Sequence, residues 1–283
     1  MARTRKLVAA LTRRGPHRVL RGELAFAGLP GVVYTPEAGL NLPGIAFGHD
    51  WLTPTTRYSG LLEHLASWGI VVGAPDTQRG LAPSVLNLAF DLGTALDIVA
   101  GVRLGPGKIS VHPAKLGVAG HGFGASAAVF AAAGMAGAAG GPAKSVAAIF
   151  PTFTGPPPEQ PAATLKVPGL ILTTPGDPKT LNSNALTLSR AWDAATLRIV
   201  KKAEAGGLAE GRRLTQVFGM GGPHRRTQKA VRALITGYLL ATLAGDKTYR
   251  DFADPDMQLP STDPVDPEAQ AVTPEEKIVA LLK

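Results

Sequence analysis

The sequence predicts an α/β fold, a mostly parallel central sheet covered by helices on both faces. Three observations carry that prediction. An alternating hairpin pattern opens the chain, short apolar runs then recur between helical stripes, and LGVAGHGFGASAAVF (residues 117–131) reads as strand, glycine turn and helix. The 283 residues suit one large domain, and 45% hydrophobic residues are enough to fill its core.

Taken in order, RVLRGELAFAG and PGVVYTP flank a Gly-Leu-Pro-Gly turn and read as two antiparallel strands. PGIAFGHD follows as a buried strand ending in a loop. Residues from about 55 to 69 place apolar side chains at helical spacing and stop at glycine. IVVGAPD is the next buried strand. From about 83 to 103, Leu86, Phe90, Leu92, Leu96 and Val99 form the stripe of a covering helix. KLGVAG, SVAAIF and VPGLILTT are three further buried strands, and LRIVKKA closes the set. RRTQKAVRALITGYLLATL is the longest amphipathic helix. Beyond Lys247 the chain turns rich in Asp and Pro, which predicts an extended strap. Thr273, Pro274 and Glu276 then make a capping box for a short terminal helix. The expected organisation is a basic arm over 1–22, one domain over 23–250, and an acidic strap with its helix over 251–283.

The net charge of +8 is unevenly spread. Residues 1–22 hold seven basic side chains and no acid, 23–200 balance, 201–250 are strongly basic and 251–283 acidic. With aromatics at only 6% and no stacking module, a nucleic-acid partner is not expected. The arm is expected either as a solvated terminus or as a short helix, with Leu7, Val8 and Leu11 on one side. In the second case Arg3, Arg5, Lys6, Arg13 and Arg14 would rest on anionic lipid headgroups or a partner. The basic segment formed by Arg212, Arg213, Arg225, Arg226, Lys229 and Arg232 is expected as a solvated helix face, with an acidic partner as the other reading. No apolar run is strong enough to span a bilayer, and the five-residue LVAAL is short for a secretory signal, so a cytoplasmic protein is expected. The absence of cysteine removes thiolate metal sites and a cysteine nucleophile.

Two motifs compete for GHGFGAS. As G-x-G-x-x-A, Gly120, Gly122 and Ala125 would receive a dinucleotide pyrophosphate, but the acid required about 20 residues later is missing, since residues 125–158 contain neither Asp nor Glu. As G-x-S-x-G without its serine, Gly120, Gly122 and Gly124 make a nucleophile elbow whose strained central position glycine tolerates. The second reading is favoured. The turn can survive without the hydroxyl.

From about residue 30 to 253 the chain resembles an α/β-hydrolase of the dienelactone hydrolase, chlorophyllase and bacterial polyester hydrolase branch. The stretches that carry the likeness are PGIAFGHDWLTPTTRYSGLLEHLASWGIVVGAPDT, KLGVAGHGFGASAAV, VPGLILTTPGDP and GDKTYRDFADP. The resemblance implies the α/β-hydrolase fold and puts Gly122 in the nucleophile's place. It gives Phe123 and Trp51 as backbone oxyanion donors, with Trp51 also clamping substrate, and Asp177 as the triad acid. Ala205, or Gly206, then stands where the histidine belongs, while His224 is expected at the surface or as a helix cap. Ser126 should point into the strand–helix junction. His121 and the His49-Asp50 pair should line or support the pocket, with Trp51, His121 and Phe123 as ligand-contacting residues. No H-E-x-x-H pattern occurs, so neither metal nor cofactor is expected.

A triad needs imidazole to take the serine proton and carboxylate to orient the imidazole. Lacking nucleophile and base, the chain is expected to be a catalytically inactive binding, scaffold or accessory protein for a protein partner or an acyl-type ligand. Relatives of this fold act near envelope lipids, which with the basic arm implies a peripheral role on the inner face of the plasma membrane. The alternative is a weak, serine-independent hydrolase using His224 and Asp177.

Overall fold

The computed structural model describes residues 2–135, 142–176, 183–211, 222–263 and 265. Its nine-stranded sheet comprises β1 (Val19–Glu23), β2 (Gly31–Pro36), β3 (Gly39–Gly48), β4 (Val71–Pro75), β5 (Ile109–His121), β6 (Val146–Ile149), β7 (Gly169–Thr173), β8 (Ala195–Val200) and β9 (Thr262–Asp263). The order across the sheet is β1-β2-β4-β3-β5-β6-β7-β8-β9. The six strands from β4 to β8 in that order are parallel, and β1, β2 and β9 pair antiparallel at the edges. The expected α/β class with a mostly parallel sheet is therefore observed.

The helices are α1 (Ala2–Leu11), α2 (Ser59–Ser67), α3 (Val85–Gly101), α4 (Phe123–Met135), α5 (Glu159–Thr164), α6 (Ala185–Ala191) and α7 (Arg225–Thr242). They cover both faces because the central strands are apolar on both. Along β3, Ile45 and Phe47 enter the core shared with α1, α2 and α7, while Ala46 between them enters the core shared with α3 and α4. Leu170 and Leu172 against Ile171 do the same in β7. Side chains of period two pointing into two cores explain why these strands read as continuous apolar runs.

One helix departs from the sequence reading, and the two terminal segments pack on the domain. The stripe assigned to α3 contained Leu86 and Phe90, yet these are 49% and 76% exposed, while Val85, Leu88, Leu92, Leu96 and Val99 are buried. The helix has apolar residues on more than one face, so spacing alone could not tell which face the sheet would take. The basic arm forms the helix α1, and that helix packs on α7. Val8 and Leu11 are buried in the core, and the Thr4 hydroxyl donates to Asp251 at 2.8 Å. Arg3, Arg5, Lys6, Arg13 and Arg14 remain exposed around it. Burying two such aliphatic side chains contributes about 1.5–3 kcal/mol each, which holds the helix to the domain. The strap also joins the domain as far as β9, with Phe252 buried and Arg198 donating to the carbonyls of Met257 at 2.7 Å and Asp254 at 2.5 Å. The terminal helix expected over 273–282 lies outside the described residues. No helix among the described residues is long and apolar enough to cross a membrane.

Candidate functional site

The parallel strands deliver their C-terminal ends to one edge of the sheet, where β5 runs into α4 through Gly122. That residue has φ +55, a left-handed conformation that glycine adopts without Cβ strain. The turn is held by its own backbone: Gly122 N–H donates to Ile149 O at 3.0 Å, and Ala125 N–H donates to Gly122 O at 3.1 Å. Close approach of β3 to α4 needs small residues, since a Cβ on Gly48 would come within 2.9 Å of Gly124 O. The GHGFG run is thus a compact strand–turn–helix elbow of the kind the motif predicts.

Directly above Gly122 lies the carboxylate of Asp50, from the loop after β3. A Cβ on Gly122 would overlap the Oδ1 atom of Asp50. That same Oδ1 accepts from Trp51 N–H at 2.8 Å and from Phe123 N–H at 3.0 Å. Two backbone donors converging on one oxygen beside a helix N-terminus form the arrangement that stabilises an oxyanion during acyl transfer. Here the anion is part of the chain. The first-turn position on α4 adds the favourable end of its dipole, typically about 0.3–1 kcal/mol for a carboxylate.

A second set of contacts fixes the loop from below. Asp50 N–H donates to the Tyr58 hydroxyl at 3.1 Å, and that hydroxyl lies 2.8 Å from His121 Nδ1. His121 Nε2 lies 3.0 Å from the carbonyl oxygen of Ala205. A carbonyl only accepts, so Nε2 carries the proton, and neutral imidazole then receives the Tyr58 proton at Nδ1. His121 and Tyr58 are fully buried and stack edge-on, with ring centroids 5.7 Å apart. His49 is also buried, with Nδ1 at 2.9 Å from Asp50 O and Nε2 at 2.7 Å from Thr77 O, which joins the loops after β3 and β4.

The structure brings Trp51, Phe123, His121, Gly122 and Ala205 together around the elbow. Trp51 is half-exposed at the rim, whereas Phe123 packs inward against the α3 and α4 core. Ala205 opens a 3-10 turn over Ala205–Leu208, right after β8. His224 stands at the N-cap position of α7 without a side-chain capping bond: its N–H donates to Gly207 O at 2.9 Å and its Nδ1 lies 2.8 Å from the Thr227 hydroxyl of its own helix. The Thr227 hydroxyl also accepts from Glu204 N–H at 3.0 Å. Ser126 is fully buried and donates to Thr152 O at 3.0 Å, in the strand–helix junction. Asp177, Arg212 and Arg213 lie outside the described residues. Among the described residues, no group of three His, Asp or Glu side chains is placed to hold a metal ion.

Two residues central to this geometry escaped the sequence reading in their actual roles. Asp50 was noticed only as the neighbour of His49, and Tyr58 only as part of a helix. The absent Cβ at residue 122 was the available signal, because some neighbouring group must fill the space it leaves. No protein-family model matches the chain, and no curated protein matches it.

Proposed function

We propose that this protein is a catalytically inactive member of the α/β-hydrolase fold that works as a binding or accessory protein through its outer surface. One observation carries the reading: a carboxylate of the chain itself occupies the two-donor site beside a glycine that stands in the nucleophile's place. An ester carbonyl needs those donors to stabilise its tetrahedral intermediate, and Asp50 already uses both. The imidazole of His121, next to Gly122, is committed at both nitrogens to Tyr58 and Ala205, so it offers no lone pair to a water or a hydroxyl.

Labelling with a fluorophosphonate probe tests the proposal, since the probe reacts only with an activated serine. No labelled band is expected from the purified native chain, and no burst with a p-nitrophenyl acyl ester. Stoichiometric labelling of any serine, or steady turnover of the ester, overturns the reading.

A further inference from the structure

Among the described residues, the edge of the sheet that carries the elbow also carries most of the large apolar side chains that the fold leaves in water. Leu81, in the loop after β4, is 82% exposed, and Phe90, in the second turn of α3, is 76% exposed. Leu86 stands one turn before Phe90 on the same helix, and Trp51 and Leu52 project from the loop after β3. Hydrogen bonds tie these segments into one rim: Thr55 N–H donates to Asp76 at 3.0 Å, and His49 bridges to Thr77. Apolar groups clustered in this way cost free energy in water unless something covers them.

The same edge is also basic. Through Asp50, Tyr58, His121 and Ala205 the rim runs to the 3-10 turn after β8, and Gly207 in that turn accepts from His224 at the head of α7. There Arg225, Arg226 and Lys229 are exposed, as are Lys202, shortly after β8, and the carboxylate-bearing Glu204. The first turn of α7 holds no acid. Cations at a helix N-terminus oppose its dipole, so the fold itself gains nothing from placing them there. They match an anionic surface outside the molecule.

We infer that this rim docks on the surface of an anionic phospholipid membrane, with Trp51, Leu52, Leu81, Leu86 and Phe90 entering the interface and Arg225, Arg226 and Lys229 meeting the headgroups. The apolar side chains come one or two per segment, a spacing that a fluid interface accepts without shape complementarity. The charges complement negative headgroups and supply attraction as the surface is approached. The basic helix α1 lies at the opposite end of the sheet, bonded through Thr4 to the turn after α7 and, through Gly15 just beyond it, to the end of α2, and its Val8 and Leu11 are already buried. The inference holds whether or not the elbow turns over a substrate.

Co-sedimentation of the full chain with phosphatidylcholine vesicles, with and without phosphatidylglycerol, tests it. Binding is expected only to the phosphatidylglycerol vesicles, falling with added salt. The double variants Leu81→Ser with Phe90→Ser and Arg225→Glu with Arg226→Glu should each weaken it by about tenfold or more. Arg3→Glu with Arg5→Glu should leave most of it. All six positions are exposed, and matching thermal midpoints verify that the variants fold. Failure of the native chain to bind either vesicle overturns the inference, as does binding lost only through the α1 variant. So does a native dimer that Leu81→Ser with Phe90→Ser dissociates without any vesicle binding, which would make the rim an interface between copies.

Discussion

The carboxylate of Asp50 occupies the volume into which a side chain on Gly122 would project, and it takes the backbone N–H groups on either side of that volume. The absent side chain and the present one are therefore complementary. Glycine at 122 does more than remove a hydroxyl: it makes room for an internal anion.

Gly122→Ser alone should destabilise the fold without creating an esterase. A side chain at φ +55 costs roughly 1–2 kcal/mol, and expelling Asp50 from two N–H donors adds about 1–3 kcal/mol. Combining it with Asp50→Gly should restore much of the urea midpoint. Ester hydrolysis should need a third change, Ala205→His, to supply a base. Robust turnover by Gly122→Ser by itself would contradict this geometry.

Asp50→Ala should cost about 1–3 kcal/mol, because the N–H groups of Trp51 and Phe123 lose their acceptor. Asp50→Asn should cost less, since its amide oxygen can still accept from both. The emptied site is a small anion cradle, so acetate should raise the thermal midpoint of Asp50→Ala more than that of the native chain. Equal acetate effects on the two proteins would argue against the cradle.

Tyr58→Phe removes the acceptor of Asp50 N–H and the group facing His121 Nδ1 in one step. His121 is buried and Asp50 half-buried, so a loss of about 1–3 kcal/mol is expected in chemical denaturation. In a double-mutant cycle, Tyr58→Phe and His121→Leu should be strongly non-additive.

His64, in α2, faces Leu11 of α1 and Arg232 of α7. Burial, and then the nearby Arg232 charge, lower its pKa from 6.5 to about 4, while a hydrogen bond to the Leu11 backbone works the other way. Above pH 6.5 the group is neutral in both folded and unfolded chains and adds no pH dependence. As pH falls from 6.5 toward 4, the unfolded chain binds a proton that the folded chain refuses, so stability drops by about 1 kcal/mol per pH unit. His64→Gln should flatten this part of the stability profile, as read from urea midpoints across the window. An unchanged slope would assign the acid sensitivity elsewhere.

Arg198 is buried against the backbone of the strap, and burial lowers its pKa. Arg198→Met should keep the stem packing but release the carbonyls of Asp254 and Met257. Limited proteolysis should then cut the chain between 251 and 263 several times faster, while β3, β5 and the elbow stay protected.

The strand and helix order was legible because each central strand carries apolar side chains in both alternating directions, as Ile45, Ala46 and Phe47 do, and because glycine runs mark the turns. The elbow was legible for the same reason: Gly120, Gly122 and Gly124 have a spacing that only a tight strand-to-helix turn uses. The faces of α3 were not, since Leu86 and Phe90 repeat at the same interval as the buried residues and only the neighbouring sheet decides which side it covers. Nor was the docking of α1, which depends on α7 and the turn carrying Asp251, more than two hundred residues away.

By itself, the sequence determined the α/β class, the left-handed turn at Gly122 and the lack of a serine there, because these follow from side-chain period and from what glycine permits locally. Only the tertiary structure decided that Asp50 would fill the space and that His121 would be committed to Tyr58 and Ala205. Both depend on segments meeting beyond the C-terminal ends of β3, β5 and β8, and a hydrogen bond between such segments is set by where the sheet brings them, not by any local preference of the residues that make it.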